Sequence, residues 1–474
     1  MPPVNLLGGA YEARSVIAGA QRCVNLYPEK NPEDAKAPST HYPTGGFIQL
    51  ARHGTHSGFR GFYQAKRFPT KLFCVVGGQL FCLDDRFNVE NIGWLKTAGK
   101  KPVSMADNGT EILIVDGSPF GYTVDLETHA FKTIGEDENF YGGTRVDVMD
   151  TYFVVSEPNS PIFRISTPGS ATFEILDFAQ KSGRSDNLSG IITVHRELWL
   201  LGEKTAEVWY NSGEIFPFSI VNGAFIEAGC VAPASIANHG NSVLWLSLDD
   251  KGQALVAMSE GYKARRVTTR AIESVFSQFK KIDDAIGLTY QFKGHLFYSL
   301  TFPSANQTWV FDLVENLWHE EVWSDTNGKE NRIRPACKTF AFGRVMMGDR
   351  QNGRIYYMDE TNTAEIGTEI KRLRSFPVIS QEALQIRDPV LQIDMEVGDL
   401  LTEDSKITLR QSGNYGKTWG DGIIRPLGNK GQYDTQIIYN NLGQGRNKVY
   451  ELSWHGEGPS ALHNIVIRPM VGMK

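Results

Sequence analysis

Between about residue 60 and residue 360, apolar positions come in short runs, and the runs come in pairs. KLFCVVGGQLFCLD (71–84) is two β-rich runs meeting at Gly77-Gly78, a strong hairpin signal. EILIVDGSPFGYTVD (111–125), TYFVVSEPNSPIFRIS (151–166), ELWLLGEKTAEVWY (197–210), SVLWLSLDDKGQALVAMS (242–259), HLFYSLTFPSANQTWVFD (295–312) and RVMMGDRQNGRIYYMD (344–359) share its grammar. Each is an apolar strand, a polar turn and a second apolar strand. Their starts at 71, 111, 151, 197, 242, 295 and 344 recur every 40 to 53 residues. A period of that length predicts propeller blades, four-stranded units that bury their faces only against neighbouring units. Helical periodicity stands out once: AIESVFSQFKKI (271–282) places Ile272, Val275, Phe276, Phe279 and Ile282 on one face, with Thr269 as N-cap.

A finer repeat lies inside the coarse one. In GYTVDLETHAF Asp125 stands six residues before Phe131, and in WVFDLVENLW Asp312 stands six before Trp318. The Asp side chain caps a turn and the aromatic packs between blades, a grammar similar to that of kelch-type blades. The predicted fold is therefore all-β: a propeller of six to seven blades over 56–360, with a β-meander sandwich as the alternative. Before it, residues 1–55 are punctuated by Gly8-Gly9, Pro28, Pro32, Pro38, Pro43 and Gly45-Gly46 and read as an irregular, extended N-terminal arm or cap. After it, ALQIRDPVLQIDMEVGD (383–399), KITLRQS (406–412), QIIYNN (436–441), KVYELSWHG (448–456) and NIVIRPM (464–470) alternate as strands, predicting a sandwich-like domain over 361–474.

Composition agrees: 47 Gly and 21 Pro supply turns, and 26 Phe, 17 Tyr and 9 Trp suit short strands. Charge changes the picture more. With 48 basic against 54 acidic residues the net charge is −6, which lacks the basic surplus of a tight nucleic-acid binder. DNA sliding past a weakly binding surface stays compatible with it. The cysteines, Cys23, Cys74, Cys82, Cys230 and Cys337, are odd in number and scattered, which predicts free thiols and a reducing compartment. A two-residue turn at Gly77-Gly78 pairs residues whose numbers sum to 155, so Cys74 and Cys82 fall on opposite faces of their hairpin. No secretory leader and no apolar run of about 18 residues is present, so no membrane insertion is expected.

The sharpest chemical motif is Ser412-Gly413-Asn414-Tyr415-Gly416-Lys417-Thr418-Trp419. It resembles the Asp-box S-x-D-x-G-x-x-W with Asn414 at the Asp position. Ser412, Asn414, Gly416 and Trp419 then form a structural turn, with Gly416 at positive φ and Trp419 as its core anchor. His319-Glu320-Glu321 lacks the second histidine of H-E-x-x-H, and neither a Walker A sequence nor a nucleophile elbow occurs. No catalytic, cofactor-binding or metal residue is expected, and no cofactor. Two basic runs, Lys263, Arg265, Arg266 and Arg270, and Lys371, Arg372 and Arg374, read first as solvated strand edges. Contact with DNA phosphates or with an acidic neighbouring subunit is the alternative. Competing functions are a propeller glycosidase or sialidase-like enzyme, which needs a positioned carboxylate pair, and a generic protein-binding propeller scaffold.

AQRCVNLYPEK (20–30), KLFCVVGGQLFCLD, VSMADNGTEILIVDG (103–117), GYTVDLETHAFKTI (121–134), RELWLLGEKTAEVWYNSG (196–213), NSVLWLSLDDKGQALV (241–256), AIESVF and GRIYYMD (353–359) occur in an order that resembles the packaged-DNA stabilisation proteins of short-tailed phages. The resemblance covers most of the chain to about 360. It implies a tail hub or nozzle subunit in a homo-hexameric ring below the portal and its adaptor. Such a ring extends the DNA channel, carries tail fibres or tailspikes, meets a needle or plug, and lets double-stranded DNA pass transiently. It implies a place in the virion tail after assembly in the host cytoplasm, and no catalytic residues to transfer.

Overall fold

The seven hairpins read from the sequence are the middle strands of seven antiparallel four-stranded blades, five of them separate sheets and two of them parts of larger ones. The computed structural model describes residues 4–5, 21–53, 56–184, 186–359, 361–362, 364–365, 368–380, 384–397, 405–456 and 460–471. The arm residues 6–20, with the Gly8-Gly9 pair, lie outside the described residues. Blade 1 comprises Phe59–Tyr63, Lys71–Val76, Gln79–Asp84 and Val89–Trp94. Blade 2 comprises Ser104–Asp107, Glu111–Val115, Gly121–Asp125 and Phe131–Ile134. Blade 3 follows with Arg145–Met149, Tyr152–Ser156, Ile162–Ser166 and Phe173–Gln180. Blade 4 has Leu188–Val194, Glu197–Gly202, Ala206–Asn211 and Phe218–Ile226. Blade 5 has Ala237–His239, Ser242–Leu248, Ala254–Glu260 and Lys263–Arg266. Blade 6 has Ile286–Phe292, His295–Phe302, Gln307–Asp312 and Leu317–Glu320. Blade 7 takes Pro335–Ala341, Arg344–Asp349 and Arg354–Asp359 from its own segment. The first strand of every blade touches the first strand of the next, and the seventh touches the first, so the ring is closed.

The hairpin strands are continuously apolar because both faces of a blade are covered. Phe73 and Val75 pack towards blade 2 with Ile112 and Ile114, while Leu72, Cys74 and Val76 pack towards blade 7 with Ala341 and Met346. Phe73 pairs with Cys82 and Cys74 with Phe81 in the hairpin register, so the two thiols face opposite neighbours. All five cysteines are buried and free.

The fourth strand of blade 7 comes from the other end of the chain. The arm contains β1 (Cys23–Val24), β2 (Leu26–Lys30), β3 (Ser39–Pro43) and β4 (Gly46–Arg52). β4 pairs antiparallel with Arg354–Asp359 and closes the propeller. Residues 21–53 of this segment hold four strands, and β1, β3 and β4 pair with strands hundreds of residues away. A Cβ on Gly46 would lie 2.4 Å from the Asn362 carbonyl oxygen, so only glycine lets β4 enter at that point.

β1 does a second job. It pairs parallel with the outermost strand of blade 6 through Val24 and Glu320, and antiparallel with β5 (Arg372–Ser375). The chain then forms β6 (Val390–Met395), β7 (Lys406–Ser412), β8 (Ile423–Pro426), β9 (Ile437–Asn440), β10 (Asn447–Trp454) and β11 (Leu462–Ile467). One sheet has the order β2-β3-β11-β6-β9, and the other, β1-β5-β10-β7-β8, continues from blade 6. Leu391, Ile393, Ile407, Leu409, Tyr450, Leu452, Trp454, Ile465 and Ile467 fill the space between them with Cys23 and Leu26 of the arm. The alternating burial of β6 and β7 is that of strands with one face on this core.

The one α-helix among the described residues, α1, spans Arg270–Phe276, with Thr269 Oγ1 accepting from the Ile272 amide. It is shorter than the pattern to 282 suggests. The Gln278 and Phe279 amides bond three residues back, tightening the chain into a turn. Phe279 and Ile282 still pack against the apolar cluster between blades 5 and 6, as the pattern requires. No described helix is long and apolar enough to cross a membrane.

Candidate functional surfaces

The turn chemistry expected at Asp125 and Asp312 is present. Asp125 Oδ1 accepts from the Glu127 and Thr128 amides at 3.0 and 2.6 Å and from the Thr128 hydroxyl at 2.8 Å. Asp312 Oδ1 accepts from the Val314 and Glu315 amides, and its Oδ2 meets His295 Nδ1 at 2.7 Å. Both aromatics sit between blades. A Cβ on Gly93 of blade 1 would lie 2.7 Å from the Phe131 ring, and Trp318 is buried beside Phe276 of α1 and donates from Nε1 to the Val267 carbonyl at 2.9 Å. Asp84 and Asp359 end the third strands of blades 1 and 7 and cap their turns the same way, through Arg86 and Asn88 and through Thr361 and Asn362. Sequence reading missed these two because no aromatic follows at the same spacing.

Ser412, Asn414 and Gly416 form the expected turn at the end of β7. Ser412 Oγ accepts from the Gly416 amide at 2.9 Å, and Asn414 Oδ1 accepts from the Thr418 amide at 2.9 Å. Gly416 has φ +83°, as the turn requires. Trp419 departs from expectation. It is half-buried outside the sandwich core and lies under the Arg410 guanidinium at 5.5 Å.

The two basic runs have opposite fates. Lys263, Arg265 and Arg266 form the exposed outer strand of blade 5, and Arg270 opens α1 on the surface. Arg266 bridges to the buried Glu273 of α1. Lys371 is half-exposed and lies 3.6 Å from Glu330. Arg372 and Arg374 are fully buried, which removes them from any DNA-facing surface and from the solvated edges expected of them. β5 lies between β1 and β10 in the middle of its sheet, and all four of its residues are buried, so its side chains are covered on both sides. Arg374 reaches the Gln21 and Arg22 carbonyls, while the Arg372 guanidinium has no hydrogen-bond partner among the described residues.

Arg372 belongs to a buried charged seam where blades 6 and 7, the arm and the sandwich meet. Tyr290 donates to Glu321 Oε1 at 2.8 Å, and Lys338 Nζ lies 3.6 Å from Glu321 Oε2 and 4.0 Å above the Tyr290 ring. Burial, with Glu321 nearby, pushes the Glu365 carboxyl up to about 8, against the pull of Lys338, Arg334 and Arg372. Burial likewise pushes His319 down to about 4 and the Arg372 guanidinium down to about 10. These groups come from segments far apart in the sequence, and no local spacing announces them.

Other buried charges tie blade to blade. Arg60 of blade 1 donates to Asp116 of blade 2 at 3.0 Å and to the Gly77, Thr97 and Lys101 carbonyls. Arg145 of blade 3 crosses the first strand of blade 4 to reach the Pro233 and Ile236 carbonyls before blade 5. It passes where a Cβ on Gly190 would lie 2.8 Å from its side chain, so that crossing depends on glycine. On the face formed by the inter-blade connections and the turns between second and third strands, a polar funnel of about 1030 Å³ opens across blades 2 to 5. Arg184 and Lys204 stand in its wall among Glu203, Glu227, Asp249 and Asp283. No group of three or more potential metal ligands converges among the described residues.

The class this defines is a seven-bladed propeller whose buried charges serve as inter-blade ties and whose two faces are built from loops. The profile of the phage stabilisation family, described as bacteriophage P22 Gp10, β-propeller, matches residues 24–363, and the chain belongs to that family. It is a phage structural protein of the kind that stabilises packaged DNA, and so a virion component. The matched span runs from β1 through the closing strand β4 to the end of blade 7, and the sandwich strands β5 to β11 lie beyond it. No curated protein sequence matches the chain. Among solved structures it is similar to selenomethionine-substituted virginiamycin B lyase from Staphylococcus aureus, at 10% identity and a TM-score of 0.40, over 66% of this chain and 98% of that one.

Proposed function

We propose that the chain is a tail hub or nozzle subunit that assembles as a homo-hexameric ring below the portal and adaptor. There it extends the DNA channel, helps retain the packaged genome, and offers attachment to tail fibres or tailspikes and to a needle or plug. The family match across the whole closed propeller carries this reading. The architecture supports it. Residues 23–52 are shared between sandwich, blade 6 and blade 7, so the propeller and its appendage are stitched into one body. A body of that kind suits a part that must resist pressure from packaged DNA. The sandwich is the part we assign to the other tail components.

The net charge of −6 supports mechanical retention over phosphate binding. The isolated protein should therefore bind duplex DNA no more tightly than ordinary non-specific affinity, with a Kd above about 1 µM near physiological salt. Fluorescence anisotropy checks this, and a tight complex with a steep salt slope would contradict retention without grip.

The decisive experiment uses particles assembled without this chain. They should package DNA and lose it, and adding the purified protein back should restore retention, with six copies per portal vertex by mass. Particles that keep their DNA without it would remove the proposal.

A further inference from the structure

Propeller blades end in an outermost strand whose free edge needs protection. In blade 6 that edge is covered by β1, and blade 7 takes β4 as its outer strand and continues to Ala364–Glu365. Blade 5 presents Lys263, Ala264, Arg265 and Arg266, all exposed, a charged edge that discourages pairing. Blades 3 and 4 do something else. In blade 3 Arg164 pairs with Phe178 and Ser166 with Phe173, so Ile165 alone stands opposite the four residues Glu174 to Asp177. In blade 4 Glu207 pairs with Phe225 and Trp209 with Ile220, so Val208 stands opposite Val221 to Ala224. Both outer strands therefore loop out from the rim.

A bulge that only protects an edge needs a polar tip. The tip in blade 3 is Ile175 and Leu176, 58% and 78% exposed, and the neighbouring turn of blade 4 carries Ile215, fully exposed. Phe178, Tyr210 and Phe225 add exposed aromatic surface on the same two blades. Apolar exposure concentrated on adjacent blades marks an interaction surface. Its charges are acidic: Glu174, Asp177 and Glu214 have no ion-pair partner among the described residues.

The complementary surface is on the same chain. Past the rim of blade 5, the segment after α1 and the turn between the second and third strands of blade 6 form a recess of about 280 Å³, where Phe279 and Ala305 lie among Gln278, Lys280, Lys281 and Ser304. Lys263, Arg270 and Lys280 have no carboxylate partner among the described residues, and Arg265 and Lys281 make only loose contacts of 3.8 and 3.6 Å. One surface has apolar knobs among unpaired acids, and the other has a row of bases beside a mostly polar recess that holds Phe279 and Ala305.

We propose that a second copy of this chain is the partner: the acidic, apolar rim of blades 3 and 4 in one copy docks on the basic rim of blade 5 and the recess after α1 in the next. This rests on the homo-oligomeric reading above and names the surface that would build it. Two acidic rims repel, so the contact is heterologous, each copy offering one surface and receiving the other, which is the geometry that closes into rings.

Because the native cysteines are all buried, an introduced surface cysteine is the only accessible thiol. Full-length Leu176→Cys and Lys263→Cys proteins, mixed and treated with a short bis-maleimide, should give covalent dimers. Neither alone should do so, and a chain carrying both should give a ladder. Independently, Glu214→Lys or Lys280→Glu alone should weaken association at least about tenfold by light scattering, and the two together should restore part of it. If mixed single-cysteine proteins stay unlinked while the wild-type chain self-associates, alone or on the portal–adaptor, the surface assignment is overturned and the nozzle reading stands. If the wild-type chain never self-associates in either setting, the assignment and the homo-hexamer fall together. If it self-associates and cross-links as described but particles keep DNA without it, the surface stands and the nozzle reading falls.

Discussion

Trp318 shows what a single residue contributes here. Its indole fills the space between blades 5 and 6 and bonds the carbonyl of Val267, so truncation opens a cavity and frees a buried acceptor at once. Trp318→Ala should cost about 3–5 kcal/mol, the range for large aromatic deletions in a core. Phe131→Ala, at a half-buried site, should cost about half as much. Urea unfolding of the two variants beside wild type checks the order, and equal costs would contradict the inter-blade account of Trp318. Glu365 makes a prediction of a different kind. Its carboxyl ordinarily titrates at 4.5 and is pushed up to about 8 in the fold, so between those values the native state holds a proton that the unfolded state has lost. Stability should therefore fall as pH rises from about 4.5 through about 8. Glu365→Gln keeps the shape of the protonated form and should flatten that slope. Thermal unfolding at pH 5 and pH 8 reads it, and an unchanged slope would place the pH dependence elsewhere.

Among elements, β4 matters out of proportion to its length. It is the outer strand of blade 7, and Phe47 on it is buried with Tyr356, Met358 and Tyr290. Gly46→Val drives a side chain into the Asn362 carbonyl at the strand's entry, so it should unlatch the closure without touching any other blade. The expected result is a lowered melting temperature together with new proteolytic cleavage between Pro43 and Ala51. Cleavage confined to the sandwich would contradict the latch. The element patterns show why prediction from sequence worked unevenly. Blade hairpins are legible because each is local: two strands, one turn, both faces apolar. The first and fourth strands are less so. Those of blade 5, Ala237–His239 and Lys263–Arg266, are short and largely exposed and carry almost no hydrophobic signal. The helix is legible in its face but not in its length, because Phe279 and Ile282 keep their apolar role after the backbone has tightened into a turn.

For the whole molecule, the closure makes stability and assembly questions of topology. Chain segments near the two ends of the propeller meet in blade 7, and the sandwich is built from the arm and the C-terminal strands together. Removing the arm through Arg52 should therefore damage both parts at once, leaving a bare edge on blade 7 and exposing Leu452 and Ile465 in the sandwich. Circular dichroism with hydrogen exchange would read this as loss of protection in β5, β6, β10 and β11 as well as in Arg354–Asp359. Protection lost from blade 7 alone would mean that the sandwich folds without the arm.

The sequence by itself determined whatever rests on neighbours along the chain. It gave the all-β class, the seven-fold hairpin repeat, the opposed faces of Cys74 and Cys82, the Asp-capped turns and the Ser412–Gly416 turn. Strand alternation, turn chemistry and register act over a few residues, so the pattern carries them. Only the tertiary structure decided that the blades number seven, that β4 supplies the last strand, and that β1 to β3 belong to the sandwich. It also decided that Arg372 and Arg374, which read as surface cations, are buried, Arg372 at the seam with Glu365, Lys338 and Glu321 and Arg374 against the arm. Those outcomes depend on which distant strand lies alongside, and a basic side chain has the same letter whether its strand faces water or a second sheet.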